Sequence, residues 1–348
     1  MKLGILKNEF DEGHFNWRKA CEKNNIEFKI IDLTSNNWLE EVESENFDGF
    51  LACPPGREAL YKKLYDERIY ILNKTLKKFV YPNYDEISLH ENKKYLSYWL
   101  KANKIPQPKT FVFYSLNNAV GFFKNKKLPI VAKMNIGASG KGVKIFKEKT
   151  DVLNYLKEAF STGIRQSWGP NILMGDYKNR IISLLKNPKR IIRKLTIYKK
   201  NYLETQKGFV IFQDFVKHDY EWRVVKIGDS FFGHKKVKTY DKASGTKGII
   251  YDLPPDDLLD FVDHLCSKFN FNCMAVDLFE KPFGGYYVNE LQCIFGHVQD
   301  HICESNNNPG RIIKRNGQWI FEEGIFNENL SYDLRLLNLV NILKSKQV

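Results

Sequence analysis

A parallel α/β unit leading into an α+β unit is the architecture that this sequence predicts, and three stretches predict it. Residues 1 to about 85 alternate apolar, β-rich runs with helical patterns, the order expected of a small parallel sheet. Leu128 to Val143, LPIVAKMNIGASGKGV, sets a glycine-rich loop between two strand-like runs. Further on, two apolar strands, CMAVDLFE and YYVNELQC, each carry a carboxylate, Asp277 and Glu290.

Taken in order, Leu3 to Leu6 reads as a strand and Asn16 to Lys23 as a helix. Glu27 to Leu33 is strand-like, Asn37 to Glu45 helical, and Phe47 to Ala52 a strand that exits through Cys53-Pro54-Pro55-Gly56. That turn falls past a strand's carboxyl end, where open α/β sheets bind ligands, although a plain strand exit would look the same. A helix from Arg57 to Asp66 and a strand at Lys78–Tyr81 complete the unit. Ser88-x-x-Glu91 has the form of a capping box and predicts one helix to about Asn103. Lys109 to Tyr114 is the next strand, Asn117 to Lys124 a short helix, and Asp151 to Phe160 another beyond the glycine loop.

Residues 161–208 read as an insertion. From Lys178 to Lys200 there are nine basic residues and no acidic one, with Ile181, Ile182, Leu184, Leu185, Ile191, Ile192 and Leu195 at roughly helical spacing and Pro188 as a break. Residues 176–200 could lie on an anionic membrane, gather a polyanionic substrate, or pack on the body with lysines in water. Gly208 to Val216, Tyr220 to Ile227 and Ser230 to Lys238 read as an antiparallel meander. A polar loop from Asp241 to Gly248, a helix from Pro255 to Phe269, the two acidic strands, a hairpin near Ile312–Phe321 and a helix from Tyr332 follow.

The chain has 348 residues, 43% hydrophobic and 27% charged, ordinary for a folded protein with room for two or three lobes. Its formal charge of +13 invites an anionic partner, a nucleotide, nucleic acid, acidic polysaccharide or membrane surface. The six cysteines are scattered without a C-x-x-C pair and read as reduced thiols. With no long apolar window and no signal-like start, a cytoplasmic location is expected. Cys293, His297, His301 and Cys303 are close in sequence, but C-x3-H-x3-H-x-C is not a familiar zinc spacing; the two histidines are expected at the substrate pocket.

The glycine loop can turn backbone N–H groups toward phosphate oxygens, with Lys133 adding a point charge. It is neither a P-loop, which needs glycine at Asn135 and Ser or Thr at Gly142, nor a dinucleotide fingerprint, whose glycines run into a helix. A carboxylate in an apolar strand is costly to bury unless it is paired or holds a metal. Glu290 and Gln292 are two apart and share a face; Asp277 can meet them across a hairpin, giving an all-oxygen cluster suited to Mg²⁺. A salt bridge to lysine remains the other account of these carboxylates.

Asn92-Lys93 with KANKIPQPKT, then LPIVAKMNIGASGKGV, FQDFV, EWRVVKIG, DKASGTKG, AVDLF and NELQ, in that order, resemble the ATP-grasp superfamily over most of 88–300. The likeness is to its RimK and glutathione-synthetase branch and to ATP-grasp proteins of bacterial polysaccharide gene clusters. It implies a Rossmann-like lobe at 1–85, an ATP-grasp N-terminal subdomain at 86–160, the basic insertion at 161–208 and a C-terminal subdomain at 209–348. It also implies ATP and two Mg²⁺ ions as cofactors. Lys93 and Lys133, with Gly137, Ser139, Gly140 and Gly142 of the loop, would touch the phosphates. Gln213, Asp214 and Phe215 would hold adenine through the backbone. Arg223 and Lys247 would be catalytic, facing the transferred phosphoryl group or the substrate carboxylate, and Asp277, Glu290 and Gln292 would hold the metals. Gln292 departs from the family's usual asparagine by one methylene.

The implied activity is ATP-dependent joining of a carboxylate to an amine through an acyl phosphate, in polysaccharide or peptide modification. The partners would be a small or glycan carboxylate and an amine. A kinase acting on a hydroxyl is one alternative. A nucleic-acid binder using the basic face is another, which the aromatics speak against because they fall in strand runs that read as core. The residues name neither substrate and set no oligomeric state, a dimer being one open alternative.

Overall fold

The computed structural model describes residues 1–9, 13–137, 140, 142–166, 188–239, 242–243, 248–295 and 302–346. Four parallel strands open the chain: β1 (Lys2–Lys7), β2 (Glu27–Asp32), β3 (Gly49–Ala52) and β4 (Val80–Tyr81), in the order β2-β1-β3-β4. Parallel neighbours need crossovers, and α1 (Phe15–Lys23), α2 (Trp38–Glu43) and α3 (Ala59–Tyr70) supply them. β3 is buried along its whole length, as befits a parallel strand covered on both faces. The Cys53–Gly56 turn leaves from its carboxyl end.

The expected single helix from Ser88 is corrected to two, α4 (Tyr84–Leu89) and α5 (Lys93–Ala102). The capping box lies five residues earlier: Glu86 N donates to Asn83 Oδ1 at 3.0 Å and Asn83 N to Glu86 Oε2 at 2.9 Å. Ser88 sits inside α4, its hydroxyl donating to Asp85 O. Glu91 takes a left-handed φ of 49°, which separates the helices, and Asn92 then caps α5 by accepting from Tyr95 N. Glu86 also accepts from Asn272 N and Cys273 N at 2.8 and 2.7 Å, so one buried carboxylate ties α4 to a distant strand.

The next strands are β5 (Thr110–Phe113), β6 (Ile130–Lys133) and β7 (Val143–Phe146), with α6 (Leu116–Asn125) and α7 (Lys149–Phe160) packed on them. β8 (Ile164–Arg165) pairs antiparallel with β9 (Thr205–Gln206), so the insertion leaves and returns at one place. Its described helix is α8 (Pro188–Leu203), with Pro188, read in sequence as a break, as its first residue. The stripe at Ile181 to Leu185 lies outside the described residues. β10 (Val210–Asp214) corrects the meander: it pairs with β5 on one side and β6 on the other, giving the order β5-β10-β6-β7. An apolar run buried on both faces carries no mark of which sheet it joins.

The large antiparallel sheet holds β11 (Tyr220–Ile227), β12 (Ser230–Thr239), β15 (Cys273–Glu280) and β16 (Tyr286–Gln292). Short β13 (Lys242–Ala243) and β14 (Ile249–Ile250) pair with β12, while β17 (Glu304–Ser305) and β19 (Gln318–Glu323) flank β18 (Asn308–Arg315). The order is β16-β15-β11-β12-β18-β17. Helices α9 (Asp256–Lys268) and α10 (Tyr332–Ser345) cover it. One apolar core joins this sheet to the parallel sheet, uniting Trp17, Phe50, Val224, Val276 and Leu336. A second core is confined to the β5-β10-β6-β7 sheet with α6 and α7 and contains Phe123, Ile130, Leu156 and Phe212. All six cysteines are free and buried, and among the described residues no helix is long and apolar enough to cross a membrane.

Glu86→Ala removes three backbone donors' acceptor at once in a buried place. Chemical denaturation is expected to show a loss of roughly 3 kcal/mol, with no change in the residues of the glycine loop.

Candidate functional site

The register of the large sheet lines up a row of polar side chains. His234 on β12 opposes Arg223 on β11, Arg223 opposes Asp277 on β15, and Asp277 opposes Glu290 on β16. Cross-strand partners share a face, so this row is one polar stripe on a sheet whose other face is core. Arg223 grips Asp277 with a bidentate fork, Nε to Oδ1 at 2.8 Å and Nη2 to Oδ2 at 2.9 Å. Lys236 Nζ adds a third bond to Oδ2 at 2.7 Å and pairs with Glu221 at 2.9 Å. Burial pushes the Asp277 carboxyl up, but Arg223 and Lys236 outweigh it and hold it well below the usual carboxylate range. Burial drives the His234 imidazole down to about 4. It is therefore neutral, its Nδ1–H donating to Ile302 O at 3.0 Å.

Next to Asp277 the strand pairing slips: Asp277 opposes Glu290, but Leu278 opposes Val288. Asn289 is the extra residue of this bulge, and bulges re-aim side chains. Its Oδ1 accepts from Lys133 Nζ at 2.8 Å, joining the end of β6 to the acidic strand. Gln292 sits between the charged groups, donating to Glu290 Oε2 at 3.2 Å and to Glu91 Oε1 at 3.4 Å, and accepting from Arg223 at 3.3 Å.

Lys93, at the first turn of α5, is buried between two carboxylates, Glu91 at 3.4 Å and Glu290 at 3.3 Å. Burial disfavours its charge, but those carboxylates raise its ammonium above the ordinary lysine value. Its Nζ also donates to Gly137 O at 3.0 Å, while Gly137 N donates to Glu91 Oε2 at 3.2 Å. Lys133 differs. Burial lowers it to about 8, with Lys93 opposing it further against the pull of Glu290. Gly137 has φ of 137°, and a Cβ there would come within 2.4 Å of Gln166 Nε2, so only glycine fits. The loop closes through Val143 N to Gly140 O at 3.2 Å and Met134 N to Gly142 O at 2.8 Å.

The structure thus brings together Lys93, Lys133, Gly137, Arg223, Asp277, Glu290 and Gln292. Ser139 and Lys247 lie outside the described residues, as do His297 and His301. Cys293 and Cys303 are buried. Gln213 and Asp214 stand apart from the charged row, in the ladder of β10: Gln213 opposes Thr110 and Val131, and Asp214 N donates to Lys109 O at 2.9 Å. The Asp214 carboxylate meets Lys126 at 2.5 Å. Phe215 follows the end of the strand.

Sequence reasoning missed Glu91, Asn289, Lys236 and Glu221. Asn289 escaped because strict alternation sends it to the opposite face from Glu290, which the bulge defeats. Glu91 was masked by the capping-box pattern. For Lys236 the only signal is its place two residues from His234.

The acidic row adjoins the carboxyl edge of the parallel sheet. A Cβ on Gly56 would approach Glu91 Cγ to 2.8 Å, so the turn after β3 abuts the site. Beyond it, Glu58 pairs with Lys200 of α8 at 3.0 Å and Ala59 N donates to Glu204 at 3.2 Å. Glu9, after β1, is pushed up to about 7 by burial, with Glu58 nearby. A cavity of about 860 Å³ lined by Lys62, Asn92, Lys94, Asn135, Glu204 and Phe209 reaches Glu204 but not Glu9, Glu58 or the acidic row.

Removing Asp277 while keeping its cations should be far costlier than neutralising Glu290. Asp277→Asn is expected to lose about 3–5 kcal/mol in urea unfolding because Arg223 and Lys236 are left facing each other. Glu290→Gln, at the more open edge, should lose under about 1 kcal/mol.

No protein-family model matches the sequence. The chain is 32% identical over 184 residues to tetrahydromethanopterin:α-L-glutamate ligase of Methanocaldococcus jannaschii, a match covering 47% of this chain and 59% of that relative's length. Its fold is like that of D-alanine–D-alanine ligase from Bacillus anthracis complexed with ATP, with a TM-score of 0.56, 12% identity and 99% of each chain covered. It is also like N5-carboxyaminoimidazole ribonucleotide synthetase from Thermotoga maritima, with a TM-score of 0.50, 14% identity, and 86% of this chain and 70% of that chain covered.

Proposed function

Because the chain has the ATP-grasp fold, we propose that it is an ATP-dependent carboxylate–amine ligase. The observation that carries this reading is the meeting of Lys93, Lys133 and the Gly137 backbone with the acidic row of Glu290 and Asp277. Charge balance supports it. Lys93, Lys133, Arg223 and Lys236 are matched by Glu91, Glu221, Asp277 and Glu290, so a bare polyphosphate would tip the site strongly negative. Divalent cations restore the balance, and the oxygens of Glu290, Gln292 and Asp277 are the donor type that Mg²⁺ prefers. Asp277 would hold an ion only by exchanging one of its present cationic partners. Bound there, Mg²⁺ would neutralise phosphate charge as it develops.

The chain's own groups then have separate tasks. Lys93 and the Gly137 N–H would fix the nucleotide's phosphates, and Lys133 would stabilise negative charge on the transferred group. Phe215 and the residues just past β10 would meet the adenine. Arg223, held by Asp277, would orient the acyl phosphate formed when the substrate carboxylate attacks the γ-phosphorus and ADP leaves. Nitrogen of the amine then attacks the acyl carbon, the C–O bond to phosphate breaks, and the amine gives up a proton. Joined to the glutamate-ligase relative, this makes an amino acid the first amine to test. The acid or the amine would enter from the side of the Gly56 turn, which abuts Glu91. A sugar acid or peptide, in polysaccharide or peptide modification, is the substrate context we propose; contact of 176–200 with a membrane would be a separate property.

Multiple-turnover ADP release should require a carboxylate and an amine together, and Lys133→Ala or Glu290→Gln should lower it by about 100-fold or more. Stoichiometric phosphorylation of a hydroxyl compound without an amine would instead make the protein a kinase. With Lys133 near 8 in the free protein, nucleotide affinity should fall as pH rises through about 8 and the ammonium is lost. Lys133→Arg, charged throughout, should flatten that dependence in an equilibrium titration.

A further inference from the structure

Glu91 has a place in this site that neither its sequence pattern nor the ligase reading assigns. It is 6% exposed, and its left-handed φ of 49° is uncommon for a residue with a long side chain. Such conformations are strained and persist where the surroundings over-determine them. Here the surroundings are the Gly56 turn against Cγ, Gln292 Nε2 at 3.4 Å from Oε1, and two donors on Oε2. Those two donors are Gly137 N at 3.2 Å and Lys93 Nζ at 3.4 Å. They are the loop N–H and the ammonium that the ligase reading gives to nucleotide phosphates. A carboxylate oxygen and a phosphate oxygen ask the same of such donors, a short charge-assisted hydrogen bond.

Resting on that reading, we propose that Glu91 is a built-in substitute for phosphate. Its carboxylate occupies the donors of Gly137 and Lys93 until a nucleotide displaces it, and its charge makes that displacement conditional on a divalent cation. Lys93 already stands between Glu91 and Glu290, so an arriving phosphate is a third anion on one ammonium. Nucleotide alone meets repulsion from the buried carboxylate of Glu91 and the half-buried one of Glu290. Nucleotide carrying Mg²⁺ brings the charge that offsets them, and Glu91 can turn to Gln292, which it already touches. The residue acts as a positioning and selecting group; it transfers no proton and forms no bond.

The test is equilibrium titration of the full chain with a non-hydrolysable ATP analogue, once with Mg²⁺ and once with a chelator. Wild type is expected to bind the metal-free analogue at least about 100-fold more weakly than the Mg²⁺ form. Glu91→Gln should bind the metal-free analogue about tenfold more tightly than wild type, about 1.4 kcal/mol, so the metal effect shrinks. Glu91→Asn, whose shorter side chain tolerates the left-handed region, should do the same and serves if the glutamine variant fails to fold. A merely structural glutamate would lower both affinities together and leave their ratio unmoved, which would overturn the proposal. Wild type that binds no nucleotide under either condition would instead overturn the ligase reading itself.

Discussion

The three-pronged grip on Asp277 is the constraint on which the site depends. A carboxylate in mid-sheet, with core on the opposite face, is held charged by the Arg223 fork and Lys236. Desolvating such a cluster costs several kcal/mol per ion, and only good geometry with every oxygen engaged offsets it. The consequence is orientation. Arg223 cannot rotate away from the row without stranding Asp277, and Lys236 is fixed between Asp277 and Glu221. The guanidinium Nη2, shared between Asp277 Oδ2 and Gln292 Oε1, is thereby fixed in the middle of the row.

Charge matching makes the site responsive rather than inert. Lys93 and Lys133 are both buried lysines, yet the nearby carboxylates raise one while burial lowers the other to about 8. The difference lies in contacts. Lys93 touches Glu91 and Glu290, whereas the hydrogen bond shown for the Lys133 ammonium is to the neutral amide of Asn289. An incoming anion thus gains most from Lys133, whose charge is least satisfied by the protein, and must compete for Lys93.

Much of this was legible in the sequence, for identifiable reasons. The parallel unit follows from its alternating runs, and the polar row follows from period-two patterning once β15 and β16 pair as a hairpin. Three features were not legible. Pairing of β10 with β5 and β6 depends on residues about a hundred positions away, and a uniformly apolar strand does not say which sheet takes it. The bulge that turns Asn289 toward Lys133 breaks the alternation from which its face would be read. Glu91 matched a helix-start pattern with Ser88, but Asn83 and Glu86 make the stronger box, because Glu86 also satisfies two donors of the distant Asn272–Cys273 segment.

Separation of the two apolar cores explains how such a site can open. The β5-β10-β6-β7 sheet packs its own core with α6 and α7, while α5 buries Leu96 and Leu100 in the other core. Contacts between the two bodies near the site are polar: Lys133 with Asn289, Gly137 with Glu91 and Lys93, and Lys94 N with Asn135 Oδ1 at 2.8 Å. Each is worth about 1 kcal/mol net, and water replaces such bonds where a buried apolar seam would resist. Polar interfaces between domains favour relative motion. The β5-β10-β6-β7 sheet and the rest of the chain therefore meet through the same groups that would bind phosphate under the ligase reading, so a nucleotide would compete for the contacts between them.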